Sequence, residues 1–73
     1  MAIDVSSLTS DDVGRFVIYK DGKYFCKKGR IKNWDTTHIY VVWEYQCRGM
    51  IDRYQDFIGY KTDPNVLDWD CVS

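Results

Sequence analysis

Residues 29–45, GRIKNWDTTHIYVVWEY, decide how the rest of the chain is read. On one side of the Asp35-Thr36-Thr37 break lies a segment carrying Ile31 and Trp34. On the other lies a run, residues 38–45, made almost wholly of β-branched and aromatic residues. Such residues fit a pleated, half-buried surface, and two such segments around a short polar break read as a β-hairpin. The hairpin predicts an all-β domain with these two strands at its centre.

Toward the N-terminus, residues 23–34 read as one long second strand, with Gly29 as its bulge or bend. Asp21-Gly22 in front of it is a strong hairpin signal, because a type I′ turn needs positive φ at both central residues. Residues 14–20 (GRFVIYK) then form the first strand. A long strand that bends to serve two partners is how short antiparallel sheets roll into small barrels. Residues 8–14 fit a single helical turn, with Thr9 or Ser10 as N-cap, acids in the first turn and Gly14 as a left-handed stop. Residues 1–7 show no clear period and read as a flexible N-terminal arm.

Toward the C-terminus, the third strand covers residues 38 to 45 or 46 and is followed by a loop around Gly49. Residues 52–57 (DRYQDF) read as a fourth strand ended by Gly59. Thr62 or Asp63 then caps a short turn, in which the missing N–H of Pro64 costs nothing. Residues 67–69 make the last strand. The expected core is Val13, Val17, Tyr19, Ile31, Ile39, Val41, Trp43, Phe57, Leu67 and Trp69. That assignment leaves Phe16, Tyr24, Trp34, Tyr40, Tyr45, Tyr54 and Tyr60 as rings without a fixed place inside.

These features resemble the SH3-like small barrels: Gly14, Val17 and Tyr19 on the first strand, Gly29 and Ile31 on the second, Ile39, Val41 and Trp43 on the third, and a turn with Leu67 before the last strand. The short first loops are similar to those of the Tudor and KOW branches. Over residues 13–70 the resemblance implies a small five-stranded antiparallel barrel, with a one-turn N-terminal helix and a short 3-10 turn before the last strand. The domain would occupy residues 8–73. The spacing of Lys28-Gly29-Arg30-Ile31-Lys32 and of the closing residues 64–69 also resembles short uncharacterised proteins of bacteria and their phages. That second resemblance implies no established activity.

A chain of 73 residues buries only about 60% of the surface that its unfolded form exposes, so it needs efficient core filling. Three Trp, six Tyr and three Phe supply it, each ring burying roughly 150–250 Å². A net charge of −1 argues against a protein that coats nucleic acid by overall charge. The distribution is uneven. Residues 20–32 hold six basic side chains against Asp21 alone, whereas residues 52–73 hold five acids against Arg53 and Lys61. Cys26, Cys47 and Cys71 match no disulfide framework and fit free thiols in a reducing compartment. With no apolar run near the ~20 residues of a membrane span and no signal-type leader, a cytoplasmic protein with no membrane partner is expected.

Four side chains could in principle ligate zinc: Cys26, Cys47, Cys71 and His38. No two of them form the close pair that such sites use, so neither a metal nor a cofactor is expected. A thiolate at Cys26 activated by His38 is the one catalytic pairing the residues suggest, and a solvated turn histidine is the commoner role, so no catalytic residue is expected. Two binding surfaces remain. The surplus rings Trp34, Tyr40, Tyr45 and Tyr54 are the kind that protein interfaces concentrate; they suggest a binding module for a protein or peptide, or for a second copy of the chain as a homo-oligomer. Alternatively, strict alternation puts Lys28, Arg30, Lys32 and Trp34 on one face, a basic ribbon ending in an indole. That combination suits weak binding of single-stranded nucleic acid.

Overall fold

A computed structural model describes residues 3–19 and 28–70. They form one open antiparallel sheet of five strands in the order β4-β3-β2-β1-β5. The strands are β1 (Phe16–Tyr19), β2 (Lys28–Trp34), β3 (Ile39–Trp43), β4 (Tyr60–Thr62) and β5 (Leu67–Trp69), joined by short 3-10 turns. The all-β class and the 29–45 hairpin follow the sequence. Among the described residues no helix is long and apolar enough to cross a membrane. The Asp21-Gly22 turn, the N-terminal part of the expected second strand, Cys26 and Cys71 lie outside the described residues.

Hydrogen bonds to one carboxylate shape the central hairpin. Asp35 Oδ1 accepts from the backbone N–H of Thr37 (2.8 Å) and of His38 (2.7 Å) and from the Thr37 hydroxyl. A side chain that copies a backbone turn in this way is why Asp starts tight turns. The hydroxyl of Tyr40 then donates to Oδ2 at 3.1 Å, tying the turn to β3.

Beyond the turn, β2 and β3 do not stay in simple register. Gly29 pairs with Trp43, Arg30 with Val42 and Ile31 with Val41, but Asn33 pairs with Tyr40 and Trp34 with Ile39, so the register shifts at Lys32. This bulge lies three residues past the expected one. Gly29 instead makes room for its neighbour strand. A Cβ there would lie 2.6 Å from Val41 Cγ1 and 2.8 Å from the Val42 carbonyl oxygen, so only a residue without a side chain lets β3 approach.

The sheet is buried on both faces. On one, Val17, Ile31, Ile39, Val41, Trp43 and Leu67 form the main core with Ile3, and Val5, Leu8, Tyr19, Trp34 and Trp69 pack against it. Tyr19 meets Trp43 edge to face, with ring centroids 6.1 Å apart. On the other face Val42, Cys47 and Tyr54 form a second cluster, flanked by Ile51 and Phe57.

Further expectations change. Among the described residues the sheet is open and not closed into a barrel, and the third strand ends at Trp43, with Glu44–Cys47 a 3-10 turn. Residues 52–57 are not a strand: Ile51–Asp56 coil as 3-10 structure over the second cluster, and the fourth strand is Tyr60–Thr62. Val13 is exposed. Val42, left out of the expected core, is fully enclosed. Of the segment read as a flexible arm, residues 3–7 lie against the domain, where Ile3 is part of the core and its N–H donates to the Pro64 carbonyl. The end caps fall as anticipated. Asp12 accepts from the Thr9 N–H, Gly14 turns with φ of +90°, and Asp63 caps the 3-10 turn Pro64–Val66 by accepting from the Asn65 N–H.

The close approach at Gly29 has a measurable consequence. Gly29→Ala should cost about 1–3 kcal/mol through overpacking, read as a lower urea midpoint at unchanged slope. An unchanged midpoint would contradict the contact.

Candidate functional site

Strand β4 ends the sheet on one side, and its register places Tyr60 beside Val41, Lys61 beside Tyr40 and Thr62 beside Ile39. Since side chains alternate along a strand, Tyr60 shares the face of the main core, and Lys61 shares the opposite face with Tyr40. Tyr60 is nevertheless 50% exposed, because nothing described lies beyond the edge to cover it. Just before β4, Ile58 is 84% exposed, the most exposed large apolar side chain among the described residues. The Gln46 amide donates to the Ile58 carbonyl at 2.9 Å and so brings the Glu44–Cys47 turn alongside. Tyr45, in that turn, is 60% exposed. Ile58 lies at a cleft on the Tyr40 face and Tyr60 on the main-core face, so exposed apolar side chains stand on both sides of this edge.

Between β2 and this edge is a shallow cleft of about 240 Å³, lined by Lys32, Asn33, Tyr40, Ile58 and Gly59. The Lys32 ammonium donates to the carbonyls of Gln55 (2.9 Å) and Phe57, the last turn of the 3-10 segment. Both acceptors are neutral, so the ammonium charge stays uncompensated there.

The four rings singled out from the sequence do not come together. Tyr45 is exposed, as expected. Tyr40 is half-buried, with its hydroxyl held by Asp35. Trp34 is half-buried on the main-core face and lines a different cleft with Val5, Ser6, Asp35 and Thr36. Tyr54 is 6% exposed and offers no ring to solvent. It packs in the second cluster under Arg30, whose guanidinium lies 4.4 Å from the ring centroid.

The basic ribbon is broken as well. The extra residue at Lys32 turns Trp34 to the opposite face from Lys28 and Arg30. Lys28 pairs with Asp70 at 3.2 Å over the Phe16 ring. Arg30 donates to the Gly14 carbonyl at 2.7 Å, pairs with Asp52 and stacks against Phe16 and Tyr54. Both cations lie over aromatic rings of the domain and are matched by aspartates.

His38 touches the Thr37 hydroxyl at 2.8 Å. Burial pushes the Cys47 thiol up, away from the thiolate form. Among the described residues no three His, Cys, Asp or Glu side chains gather where they could hold a metal ion. Compared with known proteins, the chain matches no family model, no curated protein and no solved structure.

Hydrogen bonds at the hairpin shift two acidities in opposite directions. The N–H groups of Thr37 and His38 hold the Asp35 carboxyl well below the usual carboxylate range. The bond to Asp35 holds the Tyr40 phenol above its ordinary value. A lowered carboxyl stabilises the fold above its unfolded pKa of about 3.9, and that share is lost as pH falls through the folded value. A raised phenol stabilises below about 10, and that share is lost as pH rises through the folded value. Alkaline absorbance titration should therefore show a late-ionising tyrosine that disappears in Tyr40→Phe. Superimposable curves would contradict the Tyr40–Asp35 bond.

Proposed function

We propose that the chain is a non-catalytic SH3-like small-barrel module that binds protein through the open edge of its sheet, at Tyr45, Ile58 and Tyr60. The strand order β4-β3-β2-β1-β5, the bulge in β2 and the 3-10 turn between β4 and β5 support the small-barrel reading. The observation that carries the binding role is the exposure of Ile58 and Tyr60 on the two faces of the edge, with Tyr45 exposed in the neighbouring turn. Exposing an Ile and two Tyr rings in a domain short of core material works against stability and solubility, and a partner that buries them removes that penalty. Nucleic-acid binding is the weaker reading, because Lys28 and Arg30 are matched to Asp70 and Asp52 and Trp34 faces away from them.

The test places a photo-crosslinking amino acid at position 58 and, as a control, at the exposed position 10. In extracts of the source cells, position 58 should give a discrete protein adduct that position 10 does not. Equal adduct patterns from the two positions would overturn the reading.

A further inference from the structure

The open edge has a charge as well as an apolar character. Lys61 is exposed on β4, and Lys32 reaches the adjacent cleft with only neutral carbonyl partners. Among the described residues Lys32, Lys61 and Arg48 form no ion pair, whereas Arg15, Lys28, Arg30 and Arg53 each face an aspartate within 3.5 Å. Asp35 approaches the same face through Tyr40, but its oxygens are already taken by donors from Thr37, His38 and Tyr40. Lys61 lines a separate cleft with Tyr19, Trp43, Thr62, Asp63 and Val66. No described carboxylate, Asp63 included, forms an ion pair with Lys61 or Lys32, so a carboxylate brought to either lysine meets unmatched positive charge.

We infer that β4 takes up an extended peptide strand with acidic and apolar side chains in alternation, added along its open edge with the acidic side chains toward Lys61 and Lys32. The inference rests on the binding-module reading and names the partner's chemistry. An edge strand offers unpaired main-chain donors and acceptors to an added strand. Side chains of that strand alternate between the faces. On one face they meet Lys61 and the cleft of Lys32, Tyr40 and Ile58; on the other they meet the exposed ring of Tyr60. A second copy is the poorer occupant, since a two-fold pairing centred on this three-residue strand sets Lys61 against Lys61, and like charges directly opposite are destabilising.

The experiment measures the fluorescence anisotropy of a labelled Val-Glu-Val-Glu-Val-Glu peptide with the full chain. Binding should weaken as salt rises, and a Val-Lys-Val-Lys-Val-Lys peptide should not bind. Lys61→Glu, with an unchanged circular dichroism spectrum, should weaken binding about ten-fold or more. Independently of any variant, the acidic peptide with alternate backbone amides N-methylated should lose binding, because it keeps the charges and loses the ladder donors. Absence of binding by the acidic peptide, or equal binding of its N-methylated form, would overturn the inference. So would a sedimentation profile in which the chain alone forms a dimer that Lys61→Glu dissolves, since the edge would then belong to a second copy. A discrete cross-link from position 58 with no peptide binding would overturn this inference alone; failure of both would overturn the binding-module reading too.

Discussion

The one-residue register slip at Lys32 is the constraint on which the arrangement of both faces depends. Without it, Trp34 would share a face with Lys28 and Arg30, and the main core would lose an indole that packs against it. With it, β2 keeps Gly29 and Ile31 on the core face and brings Trp34 back to that face beside Ile39. The displaced residue, Lys32, reaches over the opposite face to the carbonyls that end the Ile51–Asp56 segment. A bulge is thus both a change of facing and an anchor for the layer that covers the second cluster.

That second layer explains why so many charged groups sit close to the sheet. A domain of this size has little apolar material for two faces, and its second cluster has only Val42, Cys47 and Tyr54 enclosed among the described residues. Arg30 extends it: its planar guanidinium lies 4.9 Å from the Phe16 ring centroid and 4.4 Å from that of Tyr54, its Nε–H donates to the Gly14 carbonyl, and Asp52 pairs with it. Arginine does this better than lysine, since its flat, weakly hydrated head stacks on rings while its N–H groups point outward in fixed directions. Arg15 repeats the pattern at the rim, 3.8 Å from the Trp69 ring and paired with Asp12. Lys28 and Arg30, from the described part of the basic stretch, thus act as part of the fold.

The sequence showed the sheet more clearly than the surface. Residues 39–43 could be read because β-branched and aromatic side chains have few other stable settings. Thr9, Gly14, Asp63 and Pro64 could be read because caps and stops are set by local chemistry. The bulge could not be read, since nothing in KGRIKNW marks Lys32 over Gly29 as the extra residue, and every face assignment beyond it changed. The 52–57 segment was misread for a related reason: alternation over so few residues is weak evidence, and Tyr54 with Ile51 and Phe57 suits a coil packed over Val42 as well as a strand. Tyr60 stood among the surplus rings. Ile58 gave no signal because its exposure follows from the end of the sheet, a property of topology.

The open edge combines two demands that usually oppose each other. Unpaired strands invite association, and proteins blunt them with short length and with lysine. Strand β4 has both features, three residues and a central Lys61. Yet Ile58 and Tyr60 beside it remain exposed, which a purely protective edge would avoid. A charge that repels an identical edge attracts one of opposite sign, so the same lysine can exclude copies of the chain while admitting an acidic strand. Selectivity would then come from Lys61 and Lys32, and affinity from the ladder bonds and the apolar side chains. Lys32 holds neutral carbonyls while Arg15, Lys28, Arg30 and Arg53 are each matched by an aspartate, and that contrast fits the division.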